Sequence, residues 1–282
     1  STLFPYTTLF RSFYVFLIRM HMPESIRYLI SKDRIDEAKN IILDLECKLN
    51  VRSRDFDEEL SPLEKGSENQ AAPAFSSLWT PKFRVRTIML WLAWFGIVYS
   101  YYGIFMWLPS IVYSQGFEIV KTFEYVLAMT LAQLPGYFAA AWLVDRIGRR
   151  YTLSIFLLMS GVFSYFFGNA ETATMLLIYG AAMSFFNLGA WGVIYTYTPE
   201  MYPTSIRALG SGWAAGFGRI GGMLAPMLVG VLLAGGAEMN VIFAMFASVF
   251  VVISAVVLGL GIESKRKSLE EIDKISVNHV NA

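Results

Sequence analysis

The chain has 282 residues, 55% of them hydrophobic and 16% charged, with a mean hydropathy of +0.48. Soluble domains are about one-quarter charged, so this balance excludes an ordinary soluble globule, and a net charge of +1 gives no basis for nucleic-acid binding. The single cysteine, Cys47, excludes an intrachain disulfide and a cysteine-based metal site, and His21 and His279, near the two ends, read as surface residues.

In chain order, residues 1–12 read as translated sequencing adapter; they form no signal peptide, because no basic region precedes an apolar core. Residues 13–22 read as the last turns of a truncated transmembrane helix. Residues 23–86 form a soluble connector. Within it, Ile35, Ala38, Ile41, Ile42 and Leu45 fall at helical spacing and predict a short amphipathic helix over 33–49. The polar stretch 50–74 reads as a linker.

A membrane-spanning helix needs about 20 mostly apolar residues. Six stretches qualify: 88–111, 122–144, 152–169, 173–197, 208–233 and 239–262. Strand-type alternation is absent, which excludes a β-barrel, and backbone groups in lipid must pair within their own segment, which requires helices. The fold class is an all-α membrane protein, a six-transmembrane-helix bundle over 87–262 with a tail over 263–282.

Basic residues near the span ends set the orientation. Lys82, Arg84 and Arg86, then Arg146, Arg149 and Arg150, then Arg207, then Lys265, Arg266, Lys267 and Lys274 lie on one side, against Lys121 on the other. The connector, the loop after the second span and the tail are therefore expected in the cytoplasm.

Four motifs fall at that side. They are Pro23-Glu24-Ser25-Ile26-Arg27-Tyr28-Leu29; Asp145-Arg146-Ile147-Gly148-Arg149-Arg150; Pro199-Glu200-Met201-Tyr202-Pro203-Thr204-Ser205-Ile206-Arg207; and Ile262-Glu263-Ser264-Lys265 with Lys267–Ile272. In this order and topology, residues 13–282 resemble the major facilitator superfamily and its sugar-porter-like and metabolite–proton symporter group. The resemblance implies the C-terminal half of a twelve-helix fold, with a six-helix N-terminal half as partner. It also implies a cytoplasmic gate of Asp145, Arg146, Arg149, Arg150, Glu200, Arg207, Glu24 and Glu263. Arg–carboxylate pairs are charge-assisted and often bidentate, yet modest where water reaches them, which suits a latch that must release. Ile262 stands where the family usually has proline.

Arg219 lies among Gly216, Phe217, Gly218, Ile220, Gly221 and Gly222 in the fifth span. It is about 11 residues from the expected helix start, hence about 17 Å deep, near the midplane of a roughly 30 Å hydrocarbon core. A charge at that depth is expected to face the interior or an aqueous cavity and meet an anion, or else to pair with Asn187, Gln133 or a carboxylate of the N-terminal half. Gly212 with Gly216, and Gly218 with Gly222, are spaced for close helix packing. Asn187, Trp191 and Tyr195 share a face with Ser184. With Gln133, Tyr101 and Tyr102 they form a candidate substrate site able to stack a flat ring.

The runs 100–109 and 187–230 resemble bacterial niacin transporters of the NiaP type and related aromatic-acid proton symporters; the paired glutamines of sugar porters are missing from the first span. This resemblance implies uptake of nicotinate or a similar aromatic acid with protons across a bacterial inner membrane. A sugar or organic-cation transporter and a non-functional truncated half remain the alternatives. No nucleophile–base pair, phosphate loop or metal-spaced cluster appears, so neither an enzyme nor a cofactor is expected.

Overall fold

The structure, a computed structural model, describes residues 20, 22, 24–31, 34–49, 74–114 and 118–265. The expected adapter, the linker and most of the tail fall outside these residues. The chain divides into two compact units, 1–72 and 73–282.

In the first unit, α1 (Ile26–Ser31) and α2 (Ile35–Leu49) form a small helical pair. Leu29, Ile30 and Ala38 are its buried residues, with Ile26, Ile35 and Ile41 packed against them. The amphipathic spacing read over 33–49 thus produces a helix, and its apolar stripe is what it buries. Arg34 donates to Glu37 at 2.8 and 2.5 Å, and that hydrogen bond holds the Glu37 carboxyl below its ordinary value.

The second unit opens with a 3-10 helix (Phe75–Trp79), followed by α3 (Arg84–Ser114), α4 (Ile119–Leu131), α5 (Gln133–Ile147), α6 (Arg149–Gly168), α7 (Ala173–Glu200), α8 (Thr204–Ala234) and α9 (Met239–Leu260). Among the described residues, six helical spans are long and apolar enough to cross a membrane, with α4 and α5 together making one of them. They coincide with the six expected stretches and extend several of them. The break between α4 and α5 lies at Ala132, whose backbone is still right-handed. Pro135 explains it: proline has no N–H to offer the Leu131 carbonyl and its ring crowds that group.

Loops expected to be several residues long are shorter. Between α5 and α6 the turn is Gly148 alone, at φ 101°, a left-handed value that favours glycine. Pro199 lies inside α7, which runs on to Glu200, and α8 begins at Thr204.

Packing is pairwise. α8 lies along α3, α9 along α6, and α7 against α5 and α6. The second and fifth spans are the least covered, with 22% of their apolar windows buried against 61% for the first. Small residues set the closest approaches: a Cβ built on Gly136 would lie 2.1 Å from the Phe185 carbonyl oxygen, and one on Gly221 2.6 Å from that of Phe95. Gly218 and Gly222 also lie against α3, whereas Gly212 and Gly216 meet nothing within 4 Å. The expected close-packing stripe is therefore real for the second glycine pair and not, among the described residues, for the first.

Gly136→Ala should lower the melting temperature of the detergent-solubilised protein, with an overpacking cost of about 1–3 kcal/mol, because the obstructing atom is backbone. Gly259→Ala, where a Cβ meets nothing within 4 Å, should leave the melt unchanged or raise it slightly.

Candidate functional site

Two groups of the expected site residues come together, one mid-span and one at the basic end of the bundle.

The mid-span group follows from how α3 and α8 pack. The buried line of α8 is Gly210, Ala214, Gly218, Gly221, Ala225 and Val229, and these small residues bring its backbone onto α3. Arg219 therefore stands at the edge of the seam. It is about 15 residues into a 31-residue helix, hence about 22 Å from the helix start at 1.5 Å per residue. Its Nη1 donates to the Tyr102 hydroxyl of α3 at 3.3 Å, and the side chain is exposed on this unit. Among the described residues Arg219 makes no ion pair, and neither Asn187 nor Gln133 is its partner.

From Tyr102 a continuous set of rings leads to α7. Tyr102 meets Tyr101 edge-on at 5.6 Å, Tyr101 meets Trp191 at 5.5 Å, and Trp191 meets Tyr195 at 5.8 Å. Phe105 stacks on Tyr101 at 4.7 Å, and Trp94 closes the far end against Tyr195 at 4.9 Å. The Trp94 indole is fixed by donating to Thr198 Oγ1 at 2.9 Å. Tyr195 is exposed, Trp191 nearly buried. This arrangement presents a cation beside an aromatic wall, chemistry suited to a flat organic anion.

Two expected site residues sit apart from that wall. Asn187 is completely buried, and neither amide atom has a hydrogen-bond partner among the described residues. Gln133 is 7% exposed and opens α5 directly after the break at Ala132, two residues before Pro135; it makes no ring contact or hydrogen bond with the set.

At the basic end, the organising feature is the Glu263 carboxylate. It accepts from the Arg149 and Arg150 backbone N–H groups at 3.0 and 3.1 Å and from that of Lys265 at 2.9 Å. The first two are free donors at the start of α6, where the helix dipole favours an anion. Gly148 makes room: a Cβ there would lie 2.4 Å from the carboxylate.

Glu200, at the end of α7, receives Arg149 Nε at 3.1 Å and the Ser264 hydroxyl at 2.6 Å. Asp145 is only at 4.0 Å from Arg149 and is largely exposed. Arg150 donates to the Leu258 carbonyl, and Lys265 to that of Arg146. The Arg146 guanidinium lies 5.0 Å from the centre of the Trp142 ring. Arg207 bonds locally, to the Tyr202 carbonyl at 3.3 Å and Thr204 at 3.4 Å. Glu24 is exposed ahead of α1, in the first unit.

Sequence reasoning missed the supports of this cluster. Arg86, 2% exposed, donates to the Met201 carbonyl at 2.9 Å, closing the end of α7. Thr87 joins the Leu78 carbonyl and the Tyr202 hydroxyl, both at 3.0 Å, and burial pushes the Tyr202 phenol above its ordinary pKa. Tyr197 donates to the Ile262 carbonyl at 2.7 Å. Nothing in their spacing distinguishes these residues from ordinary topology or packing residues.

The sequence profile of the sugar (and other) transporter family matches residues 3–275. The chain belongs to that family, within the major facilitator superfamily, and is an integral, multi-pass membrane protein. It is 47% identical over 259 residues to the niacin transporter NiaP of Acinetobacter baylyi, covering 92% of this chain and 58% of that protein. It is 50% identical over 194 residues to the NiaP protein of Bacillus subtilis, covering 69% and 48%. The fold also matches the proton:xylose symporter XylE with a TM-score of 0.74 at 18% identity, covering 92% of this chain and 55% of XylE. The chain thus spans about half the length of the proteins it matches.

Glu263→Gln should cost about 1 kcal/mol of stability, the scale of an anion at a helix N-terminus, read as a lowered melting temperature in detergent. Gly148→Ala should cost more, because it loses the left-handed turn and strikes the same carboxylate.

Proposed function

We propose that the whole protein is a transporter of nicotinate or a closely related aromatic acid, of which this chain supplies one half of the substrate path. The observation that carries this reading is Arg219, a mid-span cation that meets no described carboxylate and stands beside Tyr102 at the start of an aromatic wall. A sugar gives such an arginine no charge to match, and an organic cation would be repelled. The likeness to a niacin transporter supports the same substrate class.

Carrying an anion inward against a membrane potential costs about 2.3 kcal/mol per charge per 100 mV. Proton symport removes that cost, and we assign it as the driving force. The site works by alternating access, the two halves rocking about a midplane pocket. The basic end faces the cytoplasm of a bacterial inner membrane. There Glu200, Glu263, Arg149 and Arg150 brace this half internally, while the exposed Asp145 and Arg146 are left to engage the other half as a releasable latch. Arg207 belongs to the same basic end, and Glu24 lies in the first unit.

The test uses the full-length protein in cells without their own nicotinate uptake. Labelled nicotinate should accumulate, and a protonophore should abolish accumulation. Arg219→Ala should cut uptake roughly 30-fold or more, the loss of about 2 kcal/mol or more expected for a desolvated charge pair; Arg219→Lys should retain part of it. Normal uptake by a well-expressed Arg219→Ala protein would remove the arginine from the site.

A further inference from the structure

Ser184, Asn187 and Trp191 follow one another on α7 at intervals of three and four, so they lie on one face of the helix. Ser184 and Asn187 are fully buried and Trp191 is 8% exposed. The Ser184 hydroxyl, both Asn187 amide atoms and the Trp191 indole N–H have no hydrogen-bond partner among the described residues. Several other buried polar side chains of the spans are satisfied by a carbonyl, Thr152 by Gly148, Ser160 by Phe156, Thr198 by Ile194 and Ser254 by Ser154. Trp91, Ser100 and Ser211 are also unmatched among the described residues, but singly, whereas α7 sets three such side chains on one face. An unmatched polar group inside a low-dielectric bundle is costly and calls for an explanation such as an absent partner. Packing does not supply one, because leucine would fill the position of Asn187 without leaving an amide unpaired.

The chemistry of this line selects its complement. An indole N–H donates and never accepts, and the amide NH2 donates twice. A partner for both must present an acceptor. Trp191 also joins this line to the aromatic wall, through Tyr101 at 5.5 Å and then Tyr102. The wall therefore has a cation, Arg219, at one end and an unmatched indole donor, Trp191, midway along it, with the Asn187 amide one helical turn behind that indole on α7.

We propose that Asn187, together with the indole N–H of Trp191, reads the uncharged acceptor edge of the substrate ring, a pyridine-type nitrogen, and so separates a pyridinecarboxylate from its benzene counterpart. This rests on the aromatic-acid reading above. A pyridine nitrogen carries one in-plane lone pair, which the Asn187 NH2 and the Trp191 N–H would share as a bifurcated acceptor. The C–H that replaces it in benzoate accepts none and leaves the donors unmatched, the kind of mismatch that sites built on hydrogen bonds reject strongly. Both donors are covered here, so pairing requires the Trp191 ring to move off Tyr101.

The experiment is labelled nicotinate uptake by the full-length protein, with unlabelled nicotinate or benzoate as competitor. Wild type should be inhibited at least about tenfold more weakly by benzoate, tenfold being the scale of one hydrogen bond. Asn187→Leu should weaken nicotinate about tenfold and leave benzoate unchanged, so that the preference disappears. Trp191→Phe, which keeps a ring and removes the N–H, should narrow the preference in the same sense. Equal competition in wild type, or an Asn187→Leu protein that keeps its preference, overturns the proposal and leaves the aromatic-acid reading standing. Absence of nicotinate uptake by wild type overturns both. If Asn187→Leu does not reach the membrane, the wild-type competition and Trp191→Phe decide the matter.

Discussion

Hydrocarbon offers no water to a peptide group, so every N–H and C=O within a span must find its partner in the protein. That constraint shapes the whole second unit. It makes each apolar stretch a helix, and it makes each interruption of a helix a place where something else must compensate. At Pro135 the cost is limited to one freed carbonyl, and the span continues through Ala132 with helical backbone. At the basic end, the orphan N–H groups of α6 are answered by a carboxylate that comes from beyond α9, more than a hundred residues later in the chain. Glu263 thereby ties the last span to the start of the third, while Glu200 ties the fourth to the same arginine.

Once backbone pairing is complete, helix association in lipid rests on close packing rather than on the hydrophobic effect. Gly218, Gly221 and Gly222 let α8 approach the α3 backbone, and Gly136 does the same for α5 and α7. The seam between α3 and α8 has a functional consequence. A helix held this closely keeps the base of Arg219 in a fixed position relative to Tyr102, so the cation's place is set by glycines that never touch a ligand. Positioning by backbone approach is more rigid than positioning by long side chains.

Much of this was legible in the sequence, and the reasons differ by element. All six spans were readable because length and apolarity are properties of contiguous residues, which the bilayer thickness converts directly into helices. The amphipathic α2 was readable because its stripe has a helical period. Arg219 was readable because a charge within an apolar run is rare. What could not be read were relations between distant segments. Glu263 appeared as one of several gate charges, and its place over α6 depends on where the tail turns after Leu260. Arg146 appeared equivalent to Arg149 and Arg150, yet it lies at the end of α5 and rests on Trp142 one turn back, whereas the other two open α6 beyond the Gly148 turn. The two glycine pairs of α8 were indistinguishable as motifs; only the position of α3 separates them. Arg86 looked like a topology signal and is a buried brace.

The same constraint that forces the helices also gives meaning to its exceptions. A bundle in which serines and threonines turn back to their own carbonyls has a general solution for polar side chains in lipid. Ser160 and Thr198 use it with bonds of 2.7 Å. Asn187 has a longer side chain with two kinds of polar atom, and one carbonyl in reach cannot satisfy both. Its stripe-mate Trp191 cannot use that solution where its ring edges Tyr101. These residues therefore stand outside the rule on a helix whose Trp191 touches the ring set that leads through α3 to Arg219. Most carbonyl-satisfied side chains bond within their own helix, and Ser254 and Ser164 bond across to a neighbour; the unmatched set is where the proposed substrate would enter. Paired polar atoms and unpaired ones thus play different parts: the first join the helices and satisfy the backbone, and the second are the atoms on which the proposed reading of the substrate rests.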